Sequence, residues 1–314
     1  MKKDFVIMTD AGCDLSKADR EKYGIEVPPK STIVWPDGTE KVADIDWENI
    51  TPDEYYKLMS NKKNNFSTSI PSPMTIDERL TTYAKQGKDI LIFTISSNMS
   101  GGYSAFTVVA NSVKKEIPGV QIHVCDTRRY GPAIDLLAVL ASLYRKAGHT
   151  FEETVEYVEQ EKLKIHQCGV LDDLYFLARK GRISKTAAVM GSMIGIKPMG
   201  DLNNETGMTQ VIYKAHGYQK FYKIFPKYVE RTLGSSEGKV YVIGHSYRKE
   251  QAKQIEKMVR EINNPEHLIM VELSQCTGAN VGPGLAALFY LGDERVSPNC
   301  EQEAKIYSEI TNSK

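Results

Sequence analysis

Short apolar runs alternate with amphipathic segments through the first half of the chain, and each apolar run ends in a polar or glycine-rich turn. The runs predict buried strands at residues 5–8, 90–95 and 120–125. Apolar positions at three- and four-residue spacing predict helices at residues 75–86, 104–116 and 133–146. This alternation predicts a doubly wound α/β domain with a parallel sheet, in which ligands bind at the carboxyl ends of the strands.

The alternation changes after residue 160. Turn residues separate the later elements, and these elements do not repeat in strand–helix units. In chain order we predict a helix at 151–164, a strand near 168–171, a helix at 172–180, an apolar stretch rich in Gly and Met at 187–199, a polar turn at 203–207, a helix at 218–232 and a strand at 239–244. The second half is therefore expected to be an α+β domain with a mixed sheet.

We expect two domains of class α/β. The chain has 314 residues, which is enough for each half to bury its own core. The boundaries that the pattern favours are 1–160 for the parallel-sheet domain and 161–298 for the α+β domain. Residues 299–314 are predicted to be a polar tail that forms either a surface helix or a frayed end.

The charge balance excludes several classes of partner. Forty Lys and Arg residues and forty Asp and Glu residues give a formal net charge of zero, so we expect neither nucleic acid nor an acidic membrane surface. The first apolar run is too short for a signal peptide or a membrane span. We therefore expect a cytoplasmic protein without stable membrane insertion that binds a small, neutral or singly charged ligand.

The sequence shows no spacing of metal ligands. Its five cysteines are far apart and form no C-x-x-C pair, which favours reduced, buried thiols over disulfides or zinc. The six histidines are scattered along the chain. We predict no metal and no cofactor.

The most informative segment is the loop after the second predicted strand. It reads Ser-Ser-Asn-Met-Ser-Gly-Gly-Tyr-Ser and leads into a predicted helix, whose free N–H groups favour an anion. No Asp, Glu, Lys, Arg or His lies between Asp89 and Lys114, which favours a carboxylate over a polyphosphate. We predict Ser100 as the main contact, with Ser97 and Gly101 beside it. The alternative is that Ser100 only caps the helix.

A second loop carries Thr68 in the sequence Ser-Thr-Ser-Ile-Pro-Ser-Pro. Pro71 and Pro73 fix the backbone dihedral φ and prevent a helix until Ser72 can cap it, with Pro73 in the first helical position. Such a rigid loop would hold the Thr68 hydroxyl toward the same crevice at the strand ends. The alternative is an ordinary loop before a helix.

Aspartates follow two other predicted strands. Asp10 and Asp14 follow the first, and Asp126 follows the third. Such carboxylates bind metals or act as acid and base in many proteins. Because no histidine stands beside them in the sequence, we expect them to cap loops.

The second half offers two polar residues for the crevice. Gly181 is predicted to end a helix, with Arg179 and Lys180 over its last carbonyls, so Arg182 is free for a partner or ligand. Asn280 lies in a glycine-rich turn before the apolar run at 285–291 and is a candidate neutral donor to a ligand.

A serine hydrolase is the alternative of another class. Residues 240–248 resemble a strand-to-helix nucleophile elbow around Ser246, but Arg248 stands where the G-x-S-x-G pattern has its second glycine. A lipid esterase that uses Ser246 or Ser100 is therefore kept as the second hypothesis.

The motifs together resemble the DegV family in order and spacing, over nearly the whole chain to about residue 292. The segments that carry the resemblance are Thr9-Asp10, Asp14-Leu15, Thr68-Ser69-Ile70-Pro71-Ser72, Ile95-Ser96-Ser97, Ser100-Gly101-Gly102-Tyr103-Ser104-Ala105, Arg179-Lys180-Gly181-Arg182-Ile183-Ser184, Ile196-Lys197-Pro198 and Gly282-Pro283-Gly284.

The resemblance implies a two-domain protein that holds a long-chain fatty acid between its domains, like the fatty-acid-binding subunit of bacterial fatty acid kinase. Such a subunit is not itself an enzyme; it presents the carboxylate to a separate kinase, which makes an acyl phosphate. Thr68 and Ser100 match the hydroxyls that bind the carboxylate in the family. Three positions depart from the family pattern: Ile70 stands in place of Gln, Gly102 in place of Thr and Asn280 in place of His.

Two apolar stretches are the candidates for the walls of a lipid tunnel. They lie at residues 187–199, which include Met190 and Met193, and at residues 285–291. The alternative for each is an ordinary place in the hydrophobic core.

Overall fold

The structure, a computed structural model, describes residues 4–183, 195–233, 240–295 and 297–312. Its strands are β1 (Phe5–Thr9), β2 (Ile25–Glu26), β3 (Thr32–Val34), β4 (Glu40–Val42), β5 (Ser67–Ser69), β6 (Asp89–Thr94), β7 (Ile122–Asp126), β8 (Ile165–Leu171), β9 (Ile196–Leu202), β10 (Thr209–His216), β11 (Val240–His245), β12 (His267–Glu272) and β13 (Leu285–Leu291).

The helices connect these strands along the whole described chain. They are α1 (Lys17–Tyr23), α2 (Pro52–Ser60), α3 (Pro73–Lys85), α4 (Gly102–Glu116), α5 (Pro132–Lys146), α6 (Phe151–Glu161), α7 (Tyr175–Arg179), α8 (Gly217–Thr232), α9 (Lys249–Ile262), α10 (Gln275–Val281) and α11 (Glu301–Asn312), with a 3₁₀ turn at Lys162–Lys164. No described helix is both long and apolar enough to cross a membrane.

Two four-stranded sheets dominate the fold. The first has the order β2-β1-β6-β7 and is parallel throughout. The second has the order β12-β11-β13-β8 and is mixed, because β12 is parallel to β11 whereas β13 is antiparallel to both of its neighbours. These sheets confirm the predicted fold class, with a parallel α/β half followed by a mixed-sheet half.

Alternate residues of β1 and β6 face opposite sides of the parallel sheet, so both faces are buried. One face packs with α3 and α4, and the other packs with α5. The residues on the first face are Val6, Met8, Ile90 and Ile92, and those on the second are Phe5, Ile7, Leu91 and Phe93. Helices on both faces explain why these strands are continuously apolar in the sequence.

Helix α5 joins the two halves, because it contacts β1 and β6 of the parallel sheet and also β11 and β13 of the mixed sheet. Gly244 of β11 permits this close approach: a Cβ there would lie 2.4 Å from Cγ of Pro132. One hydrophobic cluster therefore continues from the first sheet through α5 into the second.

Helix α3 begins as its sequence predicts. The Ser72 side chain accepts a hydrogen bond from the N–H of Thr75 at 3.1 Å, and Pro73 occupies the first helical position. Because of this cap, the helix begins only at Pro73, after β5 and the short loop that follows it. The cap therefore fixes where the chain turns away from the crevice at the strand ends.

The helix predicted at residues 172–180 is shorter than expected. Helix α7 starts only at Tyr175, because the Asp172 N–H donates to the carbonyl of Gly284 and the Tyr175 N–H donates to the side chain of Asp173. It ends at Arg179, and Gly181, which follows the cap residue Lys180, has a φ of 68°, in the left-handed conformation typical of a glycine that ends a helix.

The two predicted tunnel walls have different outcomes. Residues 187–194, with Met190 and Met193, lie outside the described residues, and Ile196–Leu202 is strand β9, paired with β10. Residues 285–291 form β13, which lies between β11 and β8 inside the mixed sheet. Residues 285–290 are buried, which agrees with the alternative, a place in the core; their role as a tunnel wall stays a prediction.

The predicted polar tail contains a packed helix. Helix α11 buries Tyr307 and Ile310, and the Tyr307 ring stacks on Tyr228 with centroids 4.1 Å apart. Its Glu303 side chain is also buried, where it accepts a hydrogen bond from Arg295. Tyr307 and Ile310 thus belong to a second hydrophobic cluster, which also includes Phe225 and Tyr228 of α8 and Leu288 of β13.

Candidate functional site

A cavity of about 150 Å³ lies at the carboxyl ends of β1 and β6, where residues from both halves of the chain meet. It is the place at which the doubly wound pattern predicts a ligand. The lining residues are Asp10, Ala11, Ser31, Thr68, Ser69, Ile70, Pro71, Ile95, Met99, Ser100, Gly101, Gly102, Tyr130, Gly131, Leu177, Arg182, Thr209, Cys276, Thr277, Asn280 and Val281.

The Ser100 hydroxyl lies at the start of α4 and is oriented by the backbone. Its oxygen accepts a hydrogen bond from the N–H of Gly102 at 3.2 Å, and no acceptor for its O–H is found among the described residues. Gly101 is the first residue before the helix and has no side chain that could cap it. The Ser100 oxygen therefore satisfies one helix N–H, while its O–H remains available to a ligand.

The Thr68 hydroxyl is held in the same way from the other side of the cavity. Its oxygen accepts a hydrogen bond from Nδ2 of Asn280 at 3.3 Å, and Asn280 Nδ2 also donates to the carbonyl of Cys276 at 2.9 Å. The contact with the Cys276 carbonyl fixes which end of the Asn280 amide is the nitrogen. Both amide hydrogens are thus used within the protein, and Asn280 can orient Thr68.

Strand β5 owes its position to the second half of the chain. Lys180 Nζ donates to the carbonyl of Phe66 at 2.5 Å, and Arg179 Nη1 donates to the carbonyl of Lys62 at 3.3 Å. The expectation that these two cations lie over the carbonyls of their own helix was wrong, because the carbonyls of the segment before Thr68 are within their reach.

Arg182 brings a positive charge to the cavity wall. Its Nε donates to the carbonyl of Met99 at 3.1 Å, and its Nη1 donates to the carbonyl of Lys180. The bridge between Ile183 and Thr209 holds the chain just beyond it. The loop at Ser100 has no cation nearby in sequence, but the fold supplies one from the other half.

Asp10 also lines the cavity, which the sequence did not indicate. Its Oδ1 accepts the N–H of Gly12 and its Oδ2 accepts the N–H of Ile95, both at 2.8 Å, so the expected loop cap is present. Burial raises the pKa of the Asp10 carboxyl to about 6. The one feature of the sequence that agrees with this position is that Asp10 directly follows the strand β1.

Two further hydroxyls of the wall were missed. Ser31 and Thr209 are buried, and their side-chain oxygens have no hydrogen-bond partner among the described residues. They come from a loop before β3 and from the start of β10, segments without a motif of their own. They add polar groups that a bound ligand or water can satisfy.

The family model for DegV proteins, a family whose description reads "uncharacterised protein", matches residues 4–293. The chain belongs to the DegV family. A DegV domain-containing protein of Clostridium perfringens is 31% identical over 293 residues, which cover 93% of this chain and 99% of that protein. Another, from Streptococcus pyogenes, is 26% identical over 288 residues, covering 92% and 98%.

Solved structures of DegV proteins share the fold. A DegV family protein of Ruminococcus gnavus with vaccenic acid has a TM-score of 0.78 at 24% identity, and the match covers 91% of this chain and 99% of that chain. The Streptococcus pneumoniae fatty acid kinase (Fak) B3 protein, loaded with linoleic acid, has a TM-score of 0.76 at 21% identity, covering 92% and 100%.

Ser97 of this DegV protein is not brought together with Thr68 and Ser100. Its side chain is exposed, its Oγ donates to Oδ2 of Asp126 at 2.6 Å, and its N–H donates to Oδ1 of Asp126 at 3.1 Å. Ser97 and Asp126 therefore tie the loop to the end of β7 outside the cavity. Gly101, by contrast, is in the cavity lining and is exposed to solvent.

Ser246, the hydrolase candidate, has the contacts of a structural residue. It is fully buried, its Oγ donates to the carbonyl of Gly282 at 2.7 Å, and it accepts the N–H of Leu285 at 3.0 Å. Ser100 does face a cavity, but no histidine is among the described lining residues. Among the described residues, neither serine hydroxyl is hydrogen-bonded to a histidine that could act as its base.

We expect Ser246→Ala to destabilise this DegV protein by about 1–3 kcal/mol, because it leaves a buried carbonyl and a buried N–H without a partner. Urea unfolding followed by circular dichroism measures the change. Ser308→Ala, at an exposed position of α11, is the control and should change stability by less than about 0.5 kcal/mol. Labelling of Ser246 by a fluorophosphonate would contradict the structural role.

Two clusters outside the cavity contain residue types that bind metals. One comprises His123, Cys125 and Glu159, and the other comprises His166, Asp201 and Glu303. In each, a cation of the chain already pairs with a carboxylate: Lys162 with Glu159, and Arg295 with Glu303. Because a cation of the chain already binds a carboxylate of each cluster, we assign neither a metal.

Proposed function

We propose that this DegV protein binds a long-chain fatty acid and that the hydroxyls of Thr68 and Ser100 hold its carboxylate. One observation carries the proposal: in a single cavity, each hydroxyl oxygen accepts an N–H of the protein, and neither O–H has an acceptor among the described residues. Two preoriented O–H donors fit the two oxygens of a carboxylate.

The start of α4 supports a negative head group. The helix has 15 residues, and its first turn, at Gly101 and Gly102, faces the cavity without an acidic side chain. Free N–H groups and the helix dipole favour an anion there. Arg182 lies on the same wall and adds a positive charge.

The remaining lining is suited to an acyl chain. Ile70, Ile95, Met99, Leu177 and Val281 contribute apolar surface beside the polar head-group residues. Each buried methylene contributes about 0.8 kcal/mol, so a long chain gives on the order of 10 kcal/mol before the costs of binding. A hydrogen bond to a charged group gives about 1.5–3 kcal/mol. The tail thus supplies most of the affinity, and the hydroxyls orient the carboxylate.

We infer that the protein presents this carboxylate to a separate kinase and has no catalytic residues of its own. The likeness to the Fak B3 protein of Streptococcus pneumoniae supports this role. Ile70 and Gly101, which line the cavity, are also exposed, so the head group lies near the surface, where a second protein could reach it. We place the cavity between two domains, 1–160 and 161–298.

Ligand release tests the proposal. Denaturing mass spectrometry of the purified protein is expected to release a fatty acid, at about one per chain. After removal of the lipid, the protein should bind oleate or palmitate again. An empty protein that ignores both added fatty acids would refute the proposal.

Acyl-phosphate formation tests the kinase role separately. The loaded protein is mixed with the catalytic subunit of a bacterial fatty acid kinase and ATP, and acyl phosphate is trapped with hydroxylamine. We expect formation only when both proteins are present. If the protein binds a fatty acid but no acyl phosphate forms, the kinase role is refuted and the protein binds fatty acids for another purpose.

A further inference from the structure

Asp10 poses a charge problem for the proposed ligand. Its carboxyl is 4% exposed and lies in the wall of the cavity in which Ser100 and Thr68 are proposed to hold another carboxylate. Two negative charges side by side in a site with little water repel each other strongly. The arrangement needs a proton or a cation to become favourable.

Asp10 is close to the head-group position. A Cβ built on Gly102 would lie 3.2 Å from Oδ2 of Asp10 and 3.5 Å from Oγ of Ser100, so both oxygens lie beside Gly102 at the start of α4. The N–H groups of Gly12 and Ile95 each use one lone pair of the Asp10 carboxyl. The other lone pairs have no hydrogen-bond donor among the described residues and remain for a ligand in the cavity that Asp10 lines.

The charged and titratable neighbours do not neutralise Asp10. Asp14, on the same loop, is itself buried and acidic, and Cys276 of α10 lies within its electrostatic reach. Tyr130 lines the cavity and donates its hydroxyl to Gln167. Arg182 is the cation among the described lining residues, and its described hydrogen bonds go to two backbone carbonyls.

We propose that Asp10 holds a proton when the head group is bound and donates it in a hydrogen bond to the ligand carboxylate, so that binding takes up one proton from solvent. The pair then carries a single negative charge, which the Ser100 and Thr68 hydroxyls and the start of α4 can hold. This inference rests on the proposed function, and it explains how the same site would select a carboxylate as the head group.

The direction of the pH dependence follows from this proton. Burial already raises the pKa of Asp10 to about 6 in the free protein, and a bound carboxylate raises it further. Fatty-acid affinity should therefore be highest below about pH 6. It should fall as pH rises, by at most about tenfold per pH unit, until the pKa of the complex is passed.

The experiment compares palmitate with hexadecanol, which has the same chain and a neutral head group. Affinities of the lipid-free, full-length protein are measured between about pH 6 and pH 8.5 by displacement of a fluorescent fatty acid. We expect palmitate to weaken with pH and hexadecanol to stay constant. Calorimetry in two buffers of different ionisation enthalpy should show uptake of up to one proton per palmitate.

Asp10→Asn should remove both the pH dependence and the proton uptake. Asp126→Asn is the matched control, because Asp126 also accepts two backbone N–H groups at a strand end but lies outside the cavity. It should keep the wild-type slope. If Asp10→Asn does not fold, the number of protons that the wild-type protein takes up per palmitate, measured by calorimetry, tests the role of Asp10.

The outcomes separate the two proposals. Palmitate binding with no proton uptake and no pH dependence would overturn the role of Asp10 and leave the proposed function standing. Failure to bind palmitate at every pH would overturn both.

Discussion

Ser100→Ala and Thr68→Val are each expected to weaken fatty-acid binding by about 10- to 100-fold. Each variant removes one O–H donor to a charged carboxylate, a loss of about 1.5–3 kcal/mol, and about 1.4 kcal/mol corresponds to a factor of ten. Valine keeps the shape of threonine and suits a strand, so β5 should persist. Alanine at position 100 also leaves the N–H of Gly102 without its acceptor.

The matched control for these variants is Ser97→Ala. Ser97 lies three residues before Ser100 in the same loop, but its hydroxyl binds Asp126 outside the cavity. Affinities for palmitate, measured by fluorescence displacement, should fall for Ser100→Ala and Thr68→Val and stay unchanged for Ser97→Ala. Hexadecanol should respond less than palmitate, since its head group carries no charge. Equal losses in all three variants would point to a general disturbance of the loop.

The double variant gives a further check on the shared ligand. If both hydroxyls bind one carboxylate, the losses in Thr68→Val and Ser100→Ala should not add, because the head group reorients once the first donor is gone. Acyl-phosphate formation should fall in either single variant even at saturating fatty acid, because the carboxylate is misplaced. A phosphorylation rate unchanged in Ser100→Ala would count against its assigned role.

The crevice at the strand ends could be predicted because it depends on a local, periodic pattern of apolar residues in the sequence. The apolar runs at 5–8 and 90–95 predicted parallel strands of a doubly wound sheet, and parallel strands place the loops that follow them at one edge. That the two strands are neighbours is seen in the structure. Ser100 was predicted to lie at that edge because its loop comes directly after the second run. Thr68 was predicted to lie there because prolines fix its loop and Ser72 caps the next helix; the structure confirms the cap.

Other parts of the site depend on contacts that no local pattern encodes. Strands β3, β4 and β5 have three residues each, too few for a periodic signal, yet they form the sheet that carries Thr68. Arg182 reaches the cavity from the opposite half of the chain, and the place of Asp10 in the cavity wall depends on its neighbours in space. These positions depend on contacts between residues far apart in the sequence, so they can be read only from the three-dimensional structure.

The length of helix α7 shows the same limit. Its sequence is compatible with a helix from residue 172, but Asp172 binds Lys197 and Arg248, and its N–H pairs with Gly284. These tertiary contacts just before the helix set where it begins, and they cannot be read from helix propensity.

Arg295→Met is expected to lower the free energy of unfolding by about 3–5 kcal/mol. The guanidinium lies in the core with Nε at 2.8 Å from Glu303 and Nη2 at 3.6 Å from Asp201, and both carboxylates are 1% exposed. Removal of the cation leaves the buried Glu303 carboxylate without its partner and leaves Asp201 with one nearby buried cation, Arg129, in place of two. It also removes the donor to the carbonyl of Leu202.

The control is a second arginine that pairs with the same helix. Arg231 Nη1 binds Glu309 of α11 at 2.9 Å, but both side chains are about half exposed, so Arg231→Met should cost less than about 1 kcal/mol. Urea unfolding at neutral pH compares the two variants. Addition of Glu303→Gln to Arg295→Met should restore part of the loss, because a neutral amide is easier to bury than an unpaired carboxylate.

The contrast between the two arginines also tests what holds α11 in place. The helix lies beyond the residues that the DegV family model matches, which end at 293, and its buried contacts with the body of the protein include the Tyr307 and Ile310 side chains and the pair of Glu303 with Arg295. If burial of the charges decides, Arg295→Met should expose α11 to proteolysis while Arg231→Met does not. Equal stability of the two variants would mean that the aromatic packing of Tyr307 alone anchors the helix.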